Sequence, residues 1–142
     1  MLATAIVARL EYHHGDVEYG RARLLWSNAG HPPAMVIEPN GEVRILAGEE
    51  DLILGVDVSA ERRESVSALA PGCTVLLYTD GLVERRDMHL DEGIARLVAG
   101  LGTIGGKPLD DLCDGVLTEM LPEANADDVA LLAVRVLDGT SV

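Results

Sequence analysis

Apolar and polar positions change their rhythm along the chain, and the changes mark the elements. LATAIVARLEY at 2–12 is apolar and β-branched enough to predict a strand. His13-His14-Gly15-Asp16 is a turn signal, and ARLLWSN at 22–28 reads as the second strand of a hairpin. Ala29-Gly30-His31-Pro32-Pro33 must end it, because neither proline can donate to a ladder. Met35-Val36-Ile37 resumes as a strand, Pro39-Asn40-Gly41 is a tight turn, and Val43 to Leu46 pairs back. A loop spans 47–60. Glu64 to Leu69 alternates as a strand, Pro71-Gly72 turns, and Cys73 to Tyr78 is the most apolar strand of all.

After a charged stretch the period lengthens. Ile94, Leu97, Val98 and Leu101 give helical spacing over 91–101, and Gly102 to Gly106 is expected to be a flexible break. Pro108 suits the first turn of a second helix, with Leu109, Leu112, Val116, Leu117 and Met120 on one face and Pro122 at its end. Asp127 and Asp128 open a final strand, Val129 to Leu137. Strands first, then two helices and a last strand, predict an α+β fold: one domain over 1–142, an antiparallel sheet with helices on one face.

Composition narrows the function. There is no Phe and a single Trp, so the core must be aliphatic. The net charge of −13, from 24 acidic and 11 basic residues, repels nucleic acid and anionic membranes. No basic run offsets it, so nucleic-acid binding is rejected. No stretch approaches 18 apolar residues and the N-terminus lacks the pattern of a signal peptide, so a cytoplasmic location is expected. Cys73 and Cys113 form no CxxC motif and read as free thiols.

The candidate chemistry sits where LLYTDGLVERRD drives a buried strand into Asp80-Gly81. Asp80 ends the most apolar strand; Asp127 and Asp128 begin the other strongly apolar one. If those strands are antiparallel neighbours, the carboxylates share one sheet edge. Two carboxylates about 5 Å apart repel by roughly 3 kcal/mol at an effective dielectric near 20, which a cation between them relieves. Hard divalent ions take oxygen ligands of this kind, and Gly81 lets the backbone turn closely. The plainer reading is that strand ends carry Asp and Gly because turns do.

Three segments, LLWSNAGHPPAMVI at 24–37, APGCTVLLYTDGLVERRD at 70–87 and ADDVALLAVRV at 126–136, resemble the metal-dependent protein phosphatases of the PPM, or protein phosphatase 2C-like, family. The branch is the bacterial one of sporulation stage II and sigma-factor-regulating phosphatases. The resemblance implies part of an αββα sandwich that holds two Mn²⁺ or Mg²⁺ ions. These activate a water that attacks phosphoserine or phosphothreonine without a phosphoenzyme. It implies Asp80 and Asp127 as ligands of the first metal, with Gly81 at the nearby turn. It places Glu84 and His31 near a third, weaker site, and Arg85 and Arg86 where substrate phosphate could be met. His31 also reads as a residue that caps backbone groups of a structural turn, Glu84 as simply exposed, the two arginines as solvated charge, and Asp128 as a partner of the loop.

The family's N-terminal portion carries a Gly-Asp strand end and an acidic residue for the second metal. Gly15-Asp16 lies in a hairpin turn and does not match, so the chain resembles the C-terminal portion of the domain with the N-terminal portion absent. Three readings follow: a phosphatase acting on a phosphorylated protein such as an anti-sigma factor antagonist, a degenerate phosphatase that serves as a protein-binding module, or a structural domain without metal. Uncovered sheet surfaces would also favour self-association.

Overall fold

The computed structural model describes residues 1–12, 21–48, 51–121 and 128–137. Among these residues, seven strands form two antiparallel sheets. β1 (Ala5–Glu11), β2 (Ala22–Ala29) and β5 (Ser65–Leu69) make a three-stranded sheet in the order β1-β2-β5. β3 (Met35–Ile37), β4 (Val43–Ile45), β6 (Thr74–Tyr78) and β7 (Leu131–Arg135) make a four-stranded sheet in the order β4-β3-β6-β7. Helices α1 (Leu90–Ile104) and α2 (Leu109–Met120) pack on the second sheet.

Period-two alternation explains the layering. Leu24 and Trp26 of β2 and Leu69 of β5 meet Val36, Val75 and Val136 between the sheets. Met35, Ile37, Leu76 and Tyr78 point the other way, against Leu97, Leu101, Leu112, Val116 and Met120 of the helices. The four-stranded sheet is therefore apolar on both faces, which is why its strands read as continuous apolar runs. The result is the expected α+β class, with two helices on one face of a two-sheet stack.

One expectation shifts. The break expected over Gly102 to Gly106 begins only at Gly105: α1 runs on to Ile104, because Gly102 faces open space and the packed residues on either side carry the helix across it. Pro71-Gly72 turns as read. Gly72 takes φ +84°, Cys73 N–H donates to the Ala70 carbonyl at 3.1 Å, and the chain passes from one sheet to the other. The Asn40-Gly41 turn between β3 and β4 forms as read, with Gly41 N–H donating to Glu38 O at 2.9 Å. The turn read at His13 to Asp16 lies outside the described residues, although β1 and β2 do pair antiparallel.

A polar clamp ties the sheets together. Arg44 donates through Nε to Glu38 Oε1 at 3.0 Å and through Nη1 to Ser67 Oγ at 2.7 Å. The buried Cys73 thiol donates to Glu38 Oε2 at 2.9 Å. Burial first, and then that carboxylate, push the thiol up to about 11; the same hydrogen bond, more than Arg44, holds Glu38 below its usual value. Both cysteines are free. A thiol kept protonated in the fold contributes stability that is full below its unfolded value near 9 and is lost as pH rises through about 11. Urea denaturation should show about 1 kcal/mol lost between pH 9 and 10, and Cys73→Ala should remove most of that slope, the remainder belonging to the buried Tyr78 phenol.

Candidate metal centre

Asp80 reaches the sheet edge through an unusual strand end. The β6–β7 register pairs Tyr78 with Leu131. One step on, Thr79 N–H donates to Ala130 O at 3.0 Å, but the return bond does not use the Thr79 carbonyl. That carbonyl accepts Leu82 N–H at 3.1 Å and starts a 3₁₀ turn over Asp80–Leu82. Ala130 N–H instead donates to the Thr79 hydroxyl at 2.9 Å. The side chain thus completes the ladder while the backbone turns away.

The strands are the antiparallel neighbours that the sequence argument required. Asp80 and Asp128 accordingly lie at one sheet edge, whereas Asp127 falls outside the described residues. Asp80, Glu84 and Asp128 are exposed. Glu84 N–H donates to Asp80 O at 2.8 Å, so Glu84 sits one turn after Asp80 on the same side. Beneath them Gly81, Leu82 and Val83 are buried. Gly93, in the first turn of α1, lies so close that a Cβ there would collide with the Val83 carbonyl.

His31 belongs to a tightly built loop. The buried Asn28 side chain donates to His31 O at 2.9 Å and accepts His31 N–H at 2.7 Å. Gly30 takes φ +65° against Ile53, where a Cβ would strike. The His31 ring spans the two sheets: Nε2 is 2.9 Å from Tyr78 O, and Nδ1 is 3.3 Å from Thr4 Oγ1. Arg85 is half-buried and donates to the Met120 carbonyl at the end of α2 at 2.6 Å, whereas Arg86 is exposed. An apolar groove of about 360 Å³ opens between the outer strands β1 and β7, lined in part by Ile6, His31, Leu77, Thr79 and Leu132.

The donors suit a hard divalent cation: carboxylate oxygens at a strand tip, without an ion-pair partner among the described residues. Their number is short, since no three metal-ligating side chains cluster among the described residues. Reading the sequence missed the Thr79 hydroxyl, the Arg85 cap and the Gly93 contact. The Thr-Asp-Gly order held the only cue, a hydroxyl residue before a turn.

The family model described as stage II sporulation protein E matches residues 1–137. The chain belongs to this family of protein phosphatase 2C-like domains. Among solved structures, the RsbU and RsbW domains of Rv1364c from Mycobacterium tuberculosis superpose with a TM-score of 0.77 at 28% identity, over 95% of this chain and 36% of that one. The Mn-presoaked phosphatase domain of the cell fate determinant SpoIIE from Bacillus subtilis gives 0.59 at 14% identity, over 94% of this chain and 56% of that one. The SiaA-PP2C domain of Pseudomonas aeruginosa gives 0.57 at 22%, over 81% of this chain and 51% of that one. The last two likenesses bear on the fold alone. The chain spans between about a third and somewhat over half of these structures.

Proposed function

We propose that this chain forms the C-terminal portion of a metal-dependent phosphoserine/phosphothreonine protein phosphatase, with Asp80 and Asp127 as carboxylate ligands of Mn²⁺ or Mg²⁺. The observation that supports the reading is the β6–β7 pairing, which brings the Asp80 tip and Asp128, the neighbour of Asp127 in sequence, to one sheet edge. A divalent ion held there supplies Lewis-acid polarisation and a hydroxide nucleophile near neutral pH. The protein's part is to fix the carboxylates: Thr79 and Ala130 lock the two strand ends, and Leu82, Val83 and Gly93 hold the turn down. Glu84, on the same side of the turn, can reach a further, weaker ion. Arg86 is free of the described contacts to meet a phosphate, whereas Arg85 is engaged at α2. The substrate is a phosphorylated regulatory protein of the anti-sigma antagonist kind; the pairing of RsbU with RsbW domains in the M. tuberculosis protein supports that choice. A cytoplasmic location belongs to the same reading; among the described residues no helix is long and apolar enough to cross a membrane.

A phosphoserine peptide incubated with the chain and Mn²⁺ should release phosphate, and both a chelator and Asp80→Asn should abolish the release. Peptide binding without release would favour instead a protein-binding module. The shortage of ligands among the described residues is the observation behind that second reading. Self-association is proposed as well, through the outward side of the three-stranded sheet, where Val7 and Val66 are 71% and 56% exposed.

A further inference from the structure

The β3–β6 register pairs Met35 with Leu76 and Ile37 with Thr74. Continued by two residues, it places Pro33 opposite Tyr78. N–H and C=O groups of alternate residues point to alternate sides of a strand. Thr79 turns its N–H toward β7, so Tyr78 turns its carbonyl toward β3. A non-proline residue at 33 would donate to that carbonyl. Pro33 has no N–H, and a part-buried carbonyl left unmatched is costly. His31 Nε2 stands 2.9 Å from this same oxygen.

We infer that His31 is a positioning residue for the Asp80 tip: its Nε2–H takes the place of the strand hydrogen bond that Pro33 cannot make, and so anchors the end of β6 two residues before Asp80. A carbonyl only accepts, so Nε2 must carry the proton, and a protonated nitrogen offers no lone pair to a metal. Nδ1, the remaining acceptor, is beside the Thr4 hydroxyl, just ahead of β1. The ring is itself oriented, because the Asn28 amide brackets the His31 peptide from both sides. A continuous path therefore runs from β2, through Asn28 and His31, to Tyr78 and the Asp80 turn, and it bridges the two sheets. Only the functional consequence rests on the reading of Asp80 as a metal ligand; the anchoring itself does not.

The test has a metal-free arm and a metal arm, on the full chain and on His31→Ala and His31→Gln, the latter retaining a side-chain N–H. Without metal, amide exchange at Thr79, Leu82, Val83 and Glu84 should quicken about tenfold in His31→Ala, while amides of α2 are unchanged; His31→Gln should recover most of the protection. Unchanged exchange at the turn overturns the inference, and so does exchange that quickens equally throughout the molecule. With Mn²⁺, His31→Ala should weaken binding about tenfold, the scale of supporting interactions around a metal, and His31→Gln by less. Nitrogen hyperfine coupling between His31 and bound Mn²⁺ in the parent would make His31 a ligand and overturn the inference. If the parent binds no Mn²⁺, the metal reading fails by itself, and the exchange arm alone decides the role of His31.

Discussion

Gly93→Ala is expected to lower stability by about 2 kcal/mol, the scale of overpacking in a rigid site. The helix preference for alanine, about 1 kcal/mol, acts in the opposite direction, so the sign depends on the collision. The added Cβ would run into the Val83 carbonyl oxygen and come within 2.9 Å of its carbon and 3.2 Å of Val83 Cβ. These neighbours cannot move cheaply. Val83 is 1% exposed, and its N–H is bonded to Asp80 O at 3.0 Å. Whatever yields, α1 or the turn, shifts the footing of Asp80. Gly102→Ala is the control on the same helix, since nothing lies within 4 Å of its Cβ, and it should gain about 0.5–1 kcal/mol. Urea denaturation of the pair decides the matter. Equal stabilities would mean that α1 does not pack on the Asp80 turn as described.

Leu76→Ala should cost about 3 kcal/mol, within the usual range for a leucine removed from a packed core. Leu76 is fully buried, at the middle of the four-stranded sheet and facing the helices. That loss is a large share of the 5–15 kcal/mol that a domain commonly has. Tyr78 occupies the same face two residues on, and its hydroxyl is buried without a hydrogen-bond partner among the described residues. Burial alone raises the phenol well above its usual range. Tyr78→Phe should therefore lose nothing and gain about 1 kcal/mol, because an unmatched polar group is removed. A clear loss of stability in Tyr78→Phe would show that the hydroxyl has a partner after all.

What could be read from the sequence follows from the range of the forces involved. The strands were legible because their apolar, β-branched runs are short and bounded by turn residues, with period-two alternation only over Glu64 to Leu69. The neighbouring of β6 and β7 stood only as a condition on two apolar runs bounded by acids, and the register supplies it. The division into two sheets was not legible in the period. β3 and β6 are apolar on both faces, so their pattern does not say which face meets helices and which meets the other sheet. The Gly102 position misled because glycine weakens a helix only by about 1 kcal/mol, less than Leu97 and Leu101 gain by burial. At the site, Asp80 stood out as an acid ending an apolar strand. The role of His31 did not, because it depends on a register that sets Pro33 opposite Tyr78. Arg85 reads as a solvated charge until α2 is seen to end beside it.

The central proposal is that Asp80 and Asp127 hold a divalent cation. The most direct test is a calorimetric Mn²⁺ titration of the chain, run beside Asp80→Asn and Asp127→Asn. The account predicts binding in the parent that is lost in both variants while their folds persist. Binding that survives in both, or a parent that takes up no Mn²⁺, would contradict it.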